Sequence, residues 1–347
     1  MRAKSLYLVC LLTLSGCQKD EPKPEATRKD AEAPSKVDAI DPNLAEAVAA
    51  ASAAPARGAV PGQAEGGPPA DGVFPPGGAD KEAAKGAAPK VTLGGEGSEP
   101  RQKLGPNKPA KLTGTIQVAL QSDPRQGAIP VLIGLTVEPK KADAKDAAEG
   151  SHLVTVRVTS AKVDAPGVPK EMDDQVAKVK GSKVEYTLSP NGTPGPFKVT
   201  AAKGAPDDFV RSLSDALALL SIPYPDKPLG AGGFFMVTSR DEVMGMDLVT
   251  YRMVKVKEVT PEGVTLDVNT KRYAASRTLE LPGMPPEMDK NLFQFDAMSE
   301  GTVRLPLGAV LPTQGEMNSV LAAQFAAPDP KRRPAIQLQS RAQLDLK

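Results

Sequence analysis

From Thr115 to the end of the chain, apolar residues return at every second position in one short run after another. The last run is the clearest: Ile336, Leu338, Ala342, Leu344 and Leu346 alternate with Gln337, Gln339, Arg341, Gln343 and Asp345. A strand places successive side chains on opposite faces, so such a run buries one face and wets the other. The same pattern marks Ile116, Val118 and Leu120; Val131, Ile133, Leu135 and Val137; Val154, Val156 and Val158; and Val184, Tyr186 and Leu188. Phe197 and Val199 begin a short return strand. In the second half Phe235 and Val237, Val249 to Val256, Val264 to Val268, and Val303 to Leu307 repeat it. Proline or glycine bounds most runs, as at Pro130, Pro139, Asn191-Gly192 and Pro261-Glu262-Gly263, and one-sided strands joined by short turns make an antiparallel sheet. The exception is a helix. Pro206-Asp207-Asp208 can open it, Phe209, Leu213, Ala216, Leu217 and Leu220 recur at helical spacing, and Pro223 and Pro225 end it. An apolar helix face that wide has to be covered by the sheet. The expected fold is mainly β: a curved antiparallel sheet or incomplete barrel with one main packed helix.

The first 110 residues read differently. Arg2 and Lys4, then the apolar run Leu6 to Leu14, have the form of a secretory signal, and the run is far shorter than the ~20 residues a membrane span needs. Leu14-Ser15-Gly16-Cys17 resembles a bacterial lipoprotein processing site. That resemblance implies cleavage between Gly16 and Cys17 and acylation of Cys17, palmitate included. Several acyl chains anchor stably where one does not. Gln18, where an inner-membrane retention signal has Asp, favours the outer membrane. The alternative is an ordinary secretory signal with an incidental cysteine. From Gln18 to about Ala110, Pro, Ala, Gly, Glu and Lys dominate, with Phe74 the one aromatic residue. A stretch so poor in apolar side chains reads as a disordered tether. The expected domains are a signal peptide (1–16), acylated cysteine and tether (17–110), a β-rich copy (111–200), a helix with a Pro-rich connector (201–225), and a second β-rich copy (226–347).

The word "copy" rests on one pair of octets. Pro166-Gly167-Val168-Pro169-Lys170-Glu171-Met172-Asp173 and Pro282-Gly283-Met284-Pro285-Pro286-Glu287-Met288-Asp289 share six of eight residues at an offset of 116. Each follows a β-rich stretch and is expected to lead through a short helix to a glycine (Gly181, Gly301) and a strand, which suggests two similar halves. Their acidic groups fit the start of a helix better than a metal site. Leu188-Ser189-Pro190-Asn191-Gly192, the helix, and Ile222-Pro223-Tyr224-Pro225-Asp226-Lys227-Pro228-Leu229-Gly230-Ala231-Gly232 before a strand resemble a class of exported bacterial lipoproteins of uncharacterised function. The resemblance implies an envelope location and a β architecture, and no activity.

The residues for most chemistry are scarce. Cys10 leaves with the signal and Cys17 takes lipid, so no thiol remains for a disulfide or a metal. His152 is the one histidine. It reads as a strand-end residue, and no His-x-Glu or Cys-x-x-Cys spacing supports zinc. Leu229-Gly230-Ala231-Gly232-Gly233 leads into a strand, so it reads as a tight turn and not a phosphate cradle. Tryptophan is absent and the formal net charge is +1, which argues against nucleic-acid binding. Eight of ten methionines lie between Met236 and Met317. They could fill a core, line an adaptable apolar groove, or, in Met244-Gly245-Met246 and Met284/Met288, offer soft metal ligands. These readings predict no catalytic residue, metal or cofactor. The leading functional expectation is a membrane-anchored structural or protein-interaction module of the cell envelope, using a sheet edge or loop. The alternative is a carrier of lipid or another apolar ligand, in a cleft between helix and sheet lined by Phe209, Leu213, Phe235 and Met253.

Overall fold

Twelve strands form one antiparallel sheet in the order β1-β7-β8-β9-β10-β11-β12-β2-β3-β4-β5-β6. The computed structural model describes residues 68–121, 128–143, 147–243, 246–279, 290–327 and 333–347. Strands β2 (Leu112–Gln121), β3 (Ile129–Lys141), β4 (His152–Val163), β5 (Lys183–Leu188) and β6 (Lys198–Thr200) make one meander. Strands β7 (Phe234–Val243), β8 (Met246–Val259), β9 (Gly263–Ala274), β10 (Leu292–Pro306), β11 (Gln314–Phe325) and β12 (Ala335–Leu346) make another. The two are stitched by β12 against β2, from Gln339 opposite Gln121 to Leu346 opposite Gly114. The sheet is therefore continuous but open, with β1 (Lys90–Gly95) and β6 as its edges.

The connector after the helix shows that the sheet is rolled. Arg252 on β8 donates to the carbonyl of Ser221 at 2.9 Å, and the Tyr224 N–H donates to the carbonyl of Asn191, just past β5, at 2.7 Å. Eight strand spacings separate β8 from β5, roughly 38 Å in a flat sheet. Ser221 to Tyr224 can span only about 10 Å. The flanks must curl toward each other, as the incomplete-barrel expectation requires.

The helices are few. α1 is Gly78–Glu82, α2 is Lys170–Ala177 and α3 is Asp207–Leu220. α3 follows the predicted spacing: Val210, Leu213, Leu217 and Leu220 are buried, with Phe209 and Ala216 packed beside them. It ends where the Ser221 hydroxyl donates back to the Leu217 carbonyl at 2.9 Å and Pro223 follows. α2 starts inside the first octet as expected, and Asp173 accepts the Val163 N–H at 2.9 Å, pinning the helix to the end of β4. The second octet lies outside the described residues. Gly301 is a correction to the repeat reading: it does not precede a strand but lies within β10, opposite Met317, where a Cβ would fall 2.0 Å from the Glu316 carbonyl.

The tether boundary at residue 110 is also corrected. Asp71 to Ala110 belong to the same compact unit as the rest of the sheet. β1 adds to the edge of β7, Val73 and Phe74 are buried, and Leu104 enters the core beneath β8 and β9. The composition of this stretch conceals it, because strand addition depends on main-chain hydrogen bonds more than on side chains. Five scattered apolar residues (Val73, Phe74, Val91, Leu93 and Leu104) do the anchoring. α1 covers the outer face of β8 and β9, with Phe74 edge-on to Tyr273 at 5.9 Å and Tyr251 donating to Glu82 at 2.9 Å. The glycine-rich run 229–233 is the tight turn expected. It passes so close to residues 96–102 that a Cβ on Gly230 would fall 1.6 Å from the Ser98 carbonyl.

Candidate functional site: a polar stripe across the inner face

Strand parity defines which residues point inward. On β8 these are Leu248, Thr250, Arg252, Val254 and Val256; on β9 they are Val264, Leu266, Val268, Thr270, Arg272 and Ala274. Reading the register across the sheet then gives rows of side chains at the same height. One row runs Val256, Leu266, Val303, Gly315, Leu344, Ile116, Ile133 and Ala161, and is apolar throughout. The next runs Phe235, Val254, Val268, Gly301, Met317, Ala342, Val118, Val131 and Val163, and is apolar too. The row after that changes character: Val237, Arg252, Thr270, Ser299, Ser319 and Ser340. Five consecutive strands each turn a hydroxyl or a guanidinium inward. Beyond it lie Ser239, Thr250, Arg272, Ala297 and Leu321. Then apolar packing resumes with Leu248, Ala274, Phe295, Ala323 and Phe325.

This stripe is buried and short of partners. Arg252 is 6% and Arg272 7% exposed; Thr250, Thr270 and Ser299 are buried with them. Among the described residues no acceptor lies within hydrogen-bonding distance of Arg272 Nε or Nη2, and the hydroxyls of Thr250 and Ser299 have no partner either. Buried polar groups are normally satisfied, so four such atoms in two neighbouring rows are an exception that needs a cause. Arg252 is better served, through its bond to the Ser221 carbonyl. Burial lowers the affinity of both guanidiniums for their protons. For Arg272 the neighbouring Arg252 adds to that effect and the value falls to about 10, while the negative charges of Asp241 and Asp215 act the other way. The Asp241 carboxylate accepts from the Ser239 hydroxyl at 2.7 Å. Tyr224 and Tyr186 lie toward the same connector, and burial pushes both phenols up.

The rows differ in cover as well. On the flank under α3 the inner face is sealed, with Val137, Val154, Val156 and Val184 at 0% exposure. Farther along the same face Met317, Ala342, Val118, Val131 and Val163 are only half-buried, as are Ser319 and Ser340; the three valines border the helix-covered core and Met317 the opposite one. A strip of half-buried apolar side chains therefore runs over five adjacent strands and adjoins the hydroxyl row on β11 and β12.

The four residues predicted to line a cleft are not brought together. Phe209 and Leu213 pack on the β2–β5 flank, whereas Phe235 is sealed in the core of β7–β10. Met253 is a correction: it is 40% exposed and on the outer face, because the inward parity of β8 belongs to Arg252 and Val254. The stripe was missed because its polar residues looked like the wet side of each strand. Extending the inward parity of Val254 and Val256 back to Arg252 and Thr250, and that of Val264 to Val268 on to Thr270 and Arg272, is the signal that finds it. His152 is half-buried at the start of β4, its Nδ1 unpartnered and its pKa lowered by burial. Among the described residues no group of three His, Cys, Asp or Glu could hold a metal. Gly16, Cys17, Met244, Met284 and Met288 lie outside the described residues; Met246 is core.

No protein-family model matches the sequence, and no curated protein does. Among solved structures the chain is similar to one described as lipid–protein interactions in lipovitellin, at 12% identity and a TM-score of 0.44, over 70% of this chain and 25% of that one. The chain thus spans about a quarter of that structure's length.

Proposed function

We propose that this chain is a cell-envelope lipoprotein, held in the outer membrane by acyl chains on Cys17, and that its rolled sheet binds an amphipathic, largely apolar ligand along the inner face. The observation that carries this reading is the half-buried strip of Met317, Ala342, Val118, Val131 and Val163 beside a row of hydroxyls. An apolar concave surface with a few placed polar groups is the usual make-up of a small-ligand site. Covering the strip removes apolar surface from water at about 25 cal/mol per Å². A role in pairing with another envelope protein through a sheet edge is less well supported, since β6 has three residues and β1 six, and short edges discourage strand addition.

Native mass spectrometry of the full chain, extracted from its own envelope in mild detergent, tests the reading. A retained lipid of defined mass is the expected result. Bare protein that also fails to take up a fluorescent fatty acid would overturn it. Ala342→Phe, which narrows the strip without touching the polar row, should weaken uptake.

A further inference from the structure

We propose that the ligand's head group is an anion, a carboxylate or phosphate ester gripped by Arg272 and Arg252, with its chain lying along Met317, Ala342 and Val118; this rests on the reading above and gives it a chemical class. Thr250 stands directly opposite Arg272, and Arg252 directly opposite Thr270, so the two arginines are diagonal neighbours on adjacent strands. Diagonal pairs sit roughly 7–8 Å apart at the backbone, close enough for both side chains to reach one group. They repel each other, and each is nearly sealed from water. A buried cation short of acceptors, as Arg272 is at Nε and Nη2, is costly to hold, and an acceptor supplied from outside the fold offsets that cost.

The nearby carboxylates do not fill that role for Arg272. Asp241 and Asp215 attract it through space, yet Nε and Nη2 remain without an acceptor. Those two nitrogens lie on the same edge of the guanidinium fork, the edge that takes two oxygens of a carboxylate or phosphate side by side. The unpartnered hydroxyls of Thr250 and Ser299 add two further donors in the same two rows. Arg272 can only donate, so its own deficit is one of acceptors, which an oxyanion supplies together with the charge a guanidinium favours. The cross-strand neighbour of Arg272 on β10 is Ala297, the smallest side chain in its row, and Leu321 follows on β11. An anion seated there would have its chain directed toward the half-buried strip.

Three probes on the delipidated full chain separate the possibilities: oleate, oleyl alcohol of the same chain length, and inorganic phosphate. Oleate should bind about ten- to a hundredfold more tightly than oleyl alcohol, the worth of a charged hydrogen-bonded pair. Arg272→Met should lower that ratio several-fold, Arg252 holding the remainder, and an unchanged far-UV circular dichroism spectrum with a cooperative melt shows that the variant folds. Arg272→Lys, charged but without the fork, should fall between them. Equal binding of the two amphiphiles by the unaltered chain, or a ratio that Arg272→Met does not change, overturns the anion site while sparing the lipid reading. If neither amphiphile binds but phosphate does, and Arg272→Met abolishes it, the anion site stands and the lipid reading falls. If no probe binds, both fall.

Discussion

The two flanks of the sheet solve the same packing problem in opposite ways. Beneath α3, strands β2 to β5 turn mainly aliphatic and aromatic groups inward, with His152 at the start of β4: Ile133, Leu135, Val156, Val184, Tyr186 and their neighbours form one core with the helix. Across the sheet, the inner face of β7 to β10 is split into two apolar clusters by the row of Arg252, Thr270 and Ser299. A core gains nothing by harbouring two guanidiniums where leucines would fit. The difference sets a uniformly apolar flank against one that carries the proposed anion site.

The sharpest way to break that division is to damage each flank in turn. Leu217→Ala removes a fully buried side chain from α3 and should cost about 2–5 kcal/mol, read as a lowered urea midpoint at unchanged slope. Arg272→Met should do the reverse in ligand-free protein. Exchanging a buried cation whose Nε and Nη2 lack acceptors for an apolar group of similar length should be neutral or stabilising by up to about 4 kcal/mol, in the same assay. If it instead destabilised as much as Leu217→Ala, the polar row would be structural and the contrast would collapse. The smallest effect concerns the outer face of β7–β8. Arg240 donates to both carboxylate oxygens of Asp247, at 2.8 and 2.9 Å, and holds its pKa below the usual carboxylate range. A depressed folded-state value contributes stability that is complete above the unfolded value of about 3.9 and is lost as pH falls through the folded one. Asp247→Asn should therefore remove part of the acid sensitivity below about pH 4, measured by thermal melting across pH, and leave the inner-face contrast untouched.

Much of the helix-covered flank was legible because its chemistry is uniform. Val154, Val156 and Val158 can alternate only as a one-sided strand, and Leu213 and Leu217 fit only a helical face. The polar flank hid in the same code: an inward Arg252 looks like an outward one until the register of its neighbours is known. β11 escaped for a related reason, since its inward positions include Gly315 and Ser319 and its alternation is faint. The segment from Asp71 to Ala110 escaped because it joins through its backbone, and composition reports side chains. The halves suggested by the octets correspond to two meanders of unequal size, five strands and six, in a single sheet.

The stitch between β12 and β2 has a consequence for biogenesis. β12 joins its own meander to β2, more than two hundred residues earlier in the sequence, so the two meanders cannot be fastened together until both strands have been made. Contacts so distant in sequence form slowly. Removing β12 should leave two unjoined pieces of sheet.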